Sequence, residues 1–260
     1  MLEMILDYAK QFGDKIGLFI EDYETGEKIE FHPDTSFSSA SLIKYPVLWS
    51  LMEQVEQGAI DLNETHLLTP EDKAGSSPFD SSVLRELHDG IPLTLEDCAK
   101  FMIVISDDTA TNIIMQKVSF ARMNAAFEEL GLTGTRAGRL MMDYAGLEAG
   151  RDNFVSAGDM ARLSHSICFN EKLSSETNQK MLTILKNQRH NDGINKNYPM
   201  EVRMAHKGGC IRQYQIDHDC GVIFKDDKPR VSVNVCTRYL PNARNVINRI
   251  GDMVYARIFC

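Results

Sequence analysis

The sequence lacks the features of several classes of protein. Lysine and arginine are in the minority, with 28 against 37 aspartates and glutamates, so the formal net charge is -9. No basic patch offsets that charge locally, which argues against nucleic acid or an anionic membrane surface as a partner. No apolar run is long enough to span a membrane. Internal repeats, low-complexity segments and flexible linkers are also absent, so the 260 residues are predicted to fold together.

Cysteine pairs and metal-ligand clusters are missing as well. The six cysteines show no paired or metal-like spacing, which favours reduced thiols, and the seven histidines show no spacing typical of metal ligands. The sequence therefore predicts no metal and no cofactor. Residues 1–7 are interrupted by acids and lack a basic start followed by an apolar core, so they do not resemble a secretory signal. A cytoplasmic location is expected, or export if a signal segment has been removed.

What the chain does contain is β-rich sequence at both ends and helical periodicity between them. The strands predicted from composition and alternation are 15–23, 28–31, 201–207, 214–224 and 230–237. Helical spacing of apolar residues is clearest in 2–12, in a helix that follows Ser41 as far as Gly58, and in a last helix from Asn242. Residues 132–153 contain four glycines and little periodicity, which predicts a long loop at the active site.

This order of elements predicts the fold class. Strands at both ends imply that the N-terminal hairpin completes a C-terminal sheet. We expect a two-lobed α/β fold, with an antiparallel sheet from the N- and C-terminal strands, flanking terminal helices and an all-helical lobe. Residues 1–260 would form one domain, with an α/β lobe of about 1–36 and 200–260 and a helical lobe of about 37–199. The cleft between the lobes is the expected site.

The stretch around Ser41 introduces the chemistry. Small polar residues give way to an apolar run that is typical of a helix start, and Lys44 follows Ser41 by three residues. One helical turn therefore separates the two side chains, so a desolvated amine lies within reach of the hydroxyl that it must deprotonate. The alternative for this motif alone is a helix N-terminus with a solvated lysine.

Two further motifs follow in order. A Ser-Asp-Asp sequence begins at Ser106 after a predicted helix, and a Lys-Gly-Gly sequence begins at Lys207 before β-rich sequence. With Ser-x-x-Lys, they resemble over most of the chain the motif set of class A β-lactamases and penicillin-binding proteins. Asp108 stands where that superfamily usually has asparagine, and Gly208 where it usually has threonine.

The resemblance implies roles for the catalytic residues. Ser41 would attack a carbonyl and form an acyl-enzyme, while Lys44 takes its proton. Ser106 would relay a proton to the leaving nitrogen or oxygen. Lys207 would keep Ser106 poised and attract a substrate carboxylate. The alternative is that Ser106 is only a helix end and that Lys207 begins a turn.

The resemblance also implies a substrate-binding strand. The backbone amides of Ser41 and Cys210 would form the oxyanion hole, and Gly208 and Gly209 would permit close approach there. Cys210 could be a reactive thiol or a small residue filling the strand. Asp108 would either pair with Lys44 or prefer a ligand that offers a hydrogen-bond donor, because an ionised carboxylate only accepts.

The resemblance implies that the 132–153 loop would carry the deacylation step. Class A enzymes use a glutamate in a Glu-x-x-Leu-Asn loop, which this sequence lacks, and Asp143 is the nearest substitute. By the same resemblance, Arg139 and Asp152 would form the ion pair that closes the loop, and Asn112 would position the loop carboxylate. Asp143 and Glu148 are otherwise solvated loop acids.

The leading interpretation is a class A β-lactamase-like serine hydrolase that acts on a small-molecule or short-peptide substrate. One alternative is a D,D-peptidase-like enzyme or esterase with poor β-lactam turnover. Another is a binding or sensor domain without turnover. The oligomeric state is left open by the sequence.

Overall fold

The computed structural model describes residues 2–73 and 82–259. The α-helices in those residues are α1 (Leu2–Lys10), α2 (Lys44–Glu56), α3 (Leu95–Val104), α4 (Asp108–Val118), α5 (Phe120–Glu129), α6 (Tyr144–Glu148), α7 (Ala157–Phe169), α8 (Ser175–Lys186) and α9 (Ala243–Phe259). The strands are β1 (Ile16–Asp22), β2 (Lys28–Phe31), β3 (Phe37–Ser38), β4 (Thr65–Leu67), β5 (Pro92–Thr94), β6 (Phe154–Val155), β7 (Met204–Ile211), β8 (Ile216–Lys225) and β9 (Lys228–Thr237). Strands at the two ends with helices between them match the predicted order.

The main sheet joins the two ends of the chain. Its strand order is β2-β1-β9-β8-β7, and every neighbouring pair is antiparallel. β1 therefore pairs with β9 across more than 200 residues of sequence, with Ile16 opposite Thr237. The N-terminal hairpin completes the C-terminal sheet as predicted, and β7 forms an edge.

Two cores pack on this sheet. One lies under the terminal helices α1 and α9 and contains Ile5, Leu18 and Ile250. The other unites the opposite side with the middle helices and includes Trp49 of α2. Helix α2 is buried on all sides from Lys44 to Glu53, which is typical of the central helix of a packed lobe. Along the described residues, no helix combines the length and hydropathy needed to cross a bilayer.

Several boundaries differ from the predicted ones. Ser41 lies in a short 3-10 turn, Ala40–Ile43, and α2 begins only at Lys44. β7 begins and ends later than the predicted strand 201–207, because its register with β8 continues to Ile211 opposite Ile216. Lys207 is therefore inside a strand, and the alternative that it begins a turn is wrong.

The polar turn before β9 is also shorter than predicted. Asp226 and Asp227 both have positive φ, 51° and 58°, as a two-residue hairpin turn requires, and β9 already begins at Lys228. The predicted loop 132–153 contains α6 and leads into β6, which pairs with β3. These elements are two to five residues long, so they produce little periodicity in the sequence.

A buried histidine ties the sheet to the segment that carries Ser41. His218 of β8 accepts a hydrogen bond at Nδ1 from the Thr237 amide, 3.1 Å away, so its Nε2 donates to the Ser38 carbonyl at 2.8 Å. Burial lowers the pKa of His218 to about 4, because a charged ring there would lose water and clash with the Thr237 donor.

This histidine should make stability depend on pH. The pKa in the folded chain is about 4 and the ordinary value is 6.5, so the unfolded chain binds the proton first as the pH falls. Stability from this residue is complete above about pH 6.5 and declines toward pH 4, by on the order of 3 kcal/mol. Urea denaturation at pH 7 and at pH 4.5 should show that the free energy of unfolding declines less between these pH values for His218→Gln than for the parent. Equal declines would contradict the assignment.

Candidate active site

A cavity of about 890 Å³ opens beside Ser41. Its walls are the 3-10 turn, the segment after α3, the loop that contains α6, the end of α8 and the edge strand β7. The residues that line the cavity include Ser41, Ser106, Asp108, Met141, Arg189, Asn191, Asp192, Gly208, Gly209, Cys210, Arg212, Asp219 and Arg244. All three predicted motifs therefore meet at one cavity of a size typical of small-molecule sites.

Lys44 lies under the cavity floor and is 0% exposed. Its Nζ donates to the Ser106 carbonyl at 2.5 Å, to the Ser106 hydroxyl at 3.1 Å and to Asp108 Oδ1 at 2.7 Å. Of the two options for Asp108, pairing with Lys44 is therefore the one present in the structure. Within the described residues, Lys44 makes no hydrogen bond to the Ser41 hydroxyl.

Ser106 is held in a conformation that is uncommon for a residue with a side chain. Its φ is +62°, and it is buried between the two lysines. The next residue fixes it there, because Asp107 caps α4 through the Ala110 amide and also accepts from the amides of Val83 and Leu84. This left-handed position lets the carbonyl and the hydroxyl of Ser106 both reach Lys44.

Lys207 approaches Ser106 from the opposite side. Its Nζ donates to the Ser106 hydroxyl at 3.0 Å and to the Gly208 carbonyl at 2.6 Å. Burial, and next the positive charge of Lys44, lower the pKa of Lys207 to about 7. The Ser106 hydroxyl thus connects two buried amines.

The glycines of β7 allow strand and turn to touch. A Cβ on Gly209 would lie 2.6 Å from the Ser41 amide nitrogen and 2.7 Å from that of Leu42. A side chain at this position would push β7 away from the turn. Gly208 is less restricted, since a Cβ there would lie 3.0 Å from the His218 carbonyl. Cys210 is exposed and lines the cavity.

Beyond Gly208 lies a charged cluster that the motifs did not reveal. Asp219 accepts hydrogen bonds from His206 Nδ1 and from the Ile194 amide, both at 2.8 Å, and His206 Nε2 lies 3.0 Å from Asn191 Oδ1. Burial alone would raise the pKa of Asp219, but the His206 charge and these hydrogen bonds hold it below its ordinary value. His206 is one of the seven histidines without metal-ligand spacing, and its partners Asp219 and Asn191 lie 13 and 15 residues away in sequence.

Arg244 belongs to the same end of the cavity. Its guanidinium binds Asp217 through two bonds, at 2.6 and 2.8 Å, and Asp192 at 3.0 Å. By contrast, the exposed Arg189 and Arg212 have no ion pair within the part of the chain that the structure describes. No sequence motif marks these arginines, since strand and helix packing bring them to the cavity.

The loop after α5 is closed by the expected ion pair. Arg139 Nε donates to Asp152 at 2.8 Å, and the other oxygen of Asp152 accepts from the Ser38 hydroxyl at 2.6 Å. Asn112 holds the loop backbone, but at Met141: it accepts from the Met141 amide at 2.7 Å and donates to its carbonyl at 3.1 Å. Met141 lines the cavity and also packs against the core.

Asp143, the predicted loop base, is placed differently. Its carboxylate caps α6 by accepting from the Gly146 amide at 2.8 Å, and neither Asp143 nor Glu148 is among the residues that line the cavity. The structure therefore brings together Ser41, Lys44, Ser106 and Lys207 and leaves Asp143 aside. Among residues 2–73 and 82–259, no cluster of three or more histidine, cysteine or acidic side chains has the geometry to hold a metal ion.

The fold is that of the Beta-lactamase enzyme family. The profile of that family matches residues 2–258, so the chain belongs to it. The resemblance inferred from the three motifs is confirmed by this match.

Individual relatives are distant but cover most of the chain. Beta-lactamase 3 of Bacillus cereus is 24% identical over 236 residues, which span 88% of this chain and 71% of that protein. A solved β-lactamase from Sphaerobacter thermophilus has a TM-score of 0.87 and 27% identity, covering 98% of this chain and 94% of that one. A PBP-A mutant, solved as an acyl-enzyme complex with penicillin G, has a TM-score of 0.86 and 25% identity with the same coverages. The predicted two-lobed α/β fold is confirmed.

The low pKa of Lys207 predicts a pH dependence for anionic substrates. Lys207 is protonated below about pH 7 and neutral above it, so its attraction for a carboxylate should weaken as the pH rises through 7. We expect kcat/KM for a carboxylate-bearing chromogenic substrate to fall above pH 7, and to fall less for a neutral ester. Lys207→Arg should flatten the decline, because arginine stays protonated. Parallel profiles for both substrates would contradict this role.

Proposed function

We propose that the protein is a serine hydrolase that forms an acyl-enzyme on Ser41 and hydrolyses the amide bond of a β-lactam. Membership of the Beta-lactamase enzyme family supports this class of enzyme. The observation that carries the proposal is the buried Lys44–Ser106–Lys207 network at the cavity beside Ser41. Two buried amines around one hydroxyl are expensive to maintain in a fold and are typical of proton transfer.

The acylation step follows from this network. The Ser41 oxygen bonds to the substrate carbonyl carbon while its proton passes to the neutral amine of Lys44. The tetrahedral intermediate then expels the leaving nitrogen, which takes the Ser106 hydroxyl proton. Ser106 recovers a proton from Lys44, 3.1 Å away, while Lys207 holds the hydroxyl from the other side. General acid and base groups of this kind contribute about 10²–10⁴-fold each.

The backbone supplies the electrostatic part of the mechanism. Contact between Gly209 and the turn places β7 against the amides of Ser41 and Leu42. In the proposal, the Ser41 and Cys210 amides donate to the oxyanion that develops on the substrate carbonyl. A missing donor in such a site costs about 2.7–4 kcal/mol of transition-state stabilisation. The close packing of β7 on the turn supports this arrangement.

Substrate anchoring would differ from that of relatives with Lys-Thr-Gly. Gly208 supplies no hydroxyl, and Arg244 is already bound to Asp217 and Asp192. Recognition of a substrate carboxylate would therefore depend on Lys207 together with the exposed Arg189 and Arg212 at the cavity wall.

A second candidate is a penicillin-binding-protein-like enzyme that acylates readily and releases product slowly. The observation that favours it is the apolar Met141 in the cavity wall, while Asp143 caps α6. No carboxylate of that loop faces the cavity among the residues that the structure describes. Both candidates share the acylation chemistry and differ in the rate of deacylation.

Covalent labelling tests the proposal. Intact-mass spectrometry of the protein mixed with a chromogenic cephalosporin should show an adduct that peptide mapping assigns to Ser41. The adduct should be absent in Ser41→Ala, because this substitution removes the hydroxyl of the 3-10 turn that packs against Gly209 of β7. Cys210→Ala is the matched control, since it removes the exposed thiol of the same cavity. An adduct on Cys210, or none in the parent, would overturn the proposal.

A carboxylate placed at residue 141 should speed product release. Asn112 fixes the backbone of Met141 through two hydrogen bonds, and Met141 is one of the residues that line the cavity. We therefore expect Met141→Glu to raise the ratio of the steady-state rate to the burst rate by roughly tenfold or more compared with the parent, because the new carboxylate would act as a general base. Met141→Gln has the same length without the charge and should not. Stopped-flow mixing with a chromogenic cephalosporin measures both phases, and equal behaviour of the two variants would refute the placement.

A further inference from the structure

Another carboxylate lies much nearer the catalytic network than Asp143 does. Asp108 is the first residue of α4, it lines the cavity with Ser41 and Ser106, and its side chain is 5% exposed. Its Oδ1 lies 2.7 Å from Lys44 Nζ, which lies 3.1 Å from the Ser106 hydroxyl. A carboxylate therefore stands inside the hydrogen-bond network that performs acylation.

The other acidic side chains of the cavity serve different partners. Asp219 binds His206 and the Ile194 amide, on the far side of Gly208. Asp192 binds Arg244. Among the described residues that line the cavity, Asp108 is thus the carboxylate that pairs with Lys44, which in turn contacts Ser106.

The chemistry of this side chain differs from that of the asparagine usual in the superfamily. An asparagine amide donates hydrogen bonds to a substrate, but it takes up no proton at neutral pH. A carboxylate accepts hydrogen bonds and also accepts a proton. The same position therefore offers a general base where the loop offers Met141.

We propose that Asp108 is the general base of deacylation in this enzyme. The inference rests on the proposed function, because it requires an acyl-enzyme on Ser41. Asp108 takes one proton from a cavity water as the water oxygen bonds to the acyl carbon. Asp108 gives that proton to the Lys44 amine. The intermediate collapses, the bond from the acyl carbon to the Ser41 oxygen breaks, and that oxygen takes the proton from Lys44. Lys44 and Asp108 return to the protonation states in which acylation left them, and the product leaves as a carboxylic acid.

The substitution Asp108→Asn removes the proton acceptor and keeps the size of the side chain. Acylation should survive, because loss of the negative charge beside Lys44 favours the neutral amine that accepts the Ser41 proton. Hydrolysis of the acyl-enzyme, which releases the product, should slow by about 10²–10⁴-fold, the usual effect of a lost general base. Stopped-flow mixing with a chromogenic cephalosporin should show an intact burst and a depressed steady rate, with the Ser41 adduct persisting by intact-mass spectrometry.

Two measurements separate a base from a structural residue. Hydroxylamine attacks an ester without a protein base, so it should restore release in Asp108→Asn far more than in the parent. The second variant, Asp108→Asn with Met141→Glu, should recover release because it supplies a new carboxylate. Glu148→Gln, which removes an exposed acid of α6 outside the cavity lining, is the control and should behave as the parent.

If Asp108→Asn gives no burst, the pH dependence of the unmodified enzyme decides. Release of product by water should then fall at acidic pH, because a general base must be ionised to act, while release by hydroxylamine, which needs no protein base, should not follow that fall. A shared pH dependence would overturn the proposal.

The experiments distinguish failure of the Asp108 assignment from failure of the proposed function. Unchanged release from Asp108→Asn, or slow release from Asp143→Asn instead, would overturn the assignment of Asp108 alone. Absence of an adduct on Ser41 in the parent would overturn the proposed function, and the assignment of Asp108 with it.

Discussion

The site depends on the burial of two lysine amines around one serine. Lys44 and Lys207 are 0% and 1% exposed, and an unpaired charge at such depth would destabilise the fold by several kcal/mol. Lys44 is compensated by the Asp108 carboxylate and the Ser106 carbonyl. Lys207 is compensated by the Gly208 carbonyl and by the lowering of its pKa to about 7. Both amines share the Ser106 hydroxyl, so a displacement of Ser106 would weaken both.

Holding Ser106 in place explains features far from the cavity. Its φ of +62° is an uncommon backbone conformation that persists only when the surroundings impose it. Asp107, which is 0% exposed, imposes this conformation by accepting hydrogen bonds from three backbone amides. Two of these amides belong to Val83 and Leu84, and the third belongs to Ala110 in α4. On the other wall, Gly209 lets β7 touch the Ser41 turn, and His218 ties β8 to Ser38. Helical lobe and sheet thus meet at the two serines of the site.

The sequence predicted the features that depend on pattern. Helical and strand periodicity identified the sheet from both chain ends, and the order of three motifs brought Ser41, Ser106 and Lys207 into one site. The two adjacent glycines Gly208 and Gly209 predicted the end of a strand, but in the structure both residues pair with β8. Local pattern does not register such pairing, because the partner strand determines it.

Long-range contacts account for the rest of the site that the sequence did not reveal. Asn112 was expected to position a loop carboxylate, but it binds the backbone of Met141, 29 residues away. Backbone recognition of this kind is insensitive to the side chain of the residue held. The cluster of Asp219, His206 and Arg244 likewise consists of pairs that strand register and α9 bring together. Residue types alone therefore placed the nucleophile and its amines more reliably than the residues around them.

This chain differs from the class A enzymes that it resembles at Asp108 and Met141, and the balance of charge around Lys44 links the two differences. A buried ammonium such as Lys44 requires a nearby carboxylate, and the class A enzymes that the chain resembles carry a glutamate on the loop and an asparagine at the position of Asp108. Here the carboxylate is on α4 and pairs with Lys44 at 2.7 Å, while the loop residue held by Asn112 is the apolar Met141. A second carboxylate from the loop would leave the cavity with an additional negative charge beside Asp108. The acid on α4 and the methionine on the loop are thus mutually consistent, because together they provide one carboxylate for Lys44.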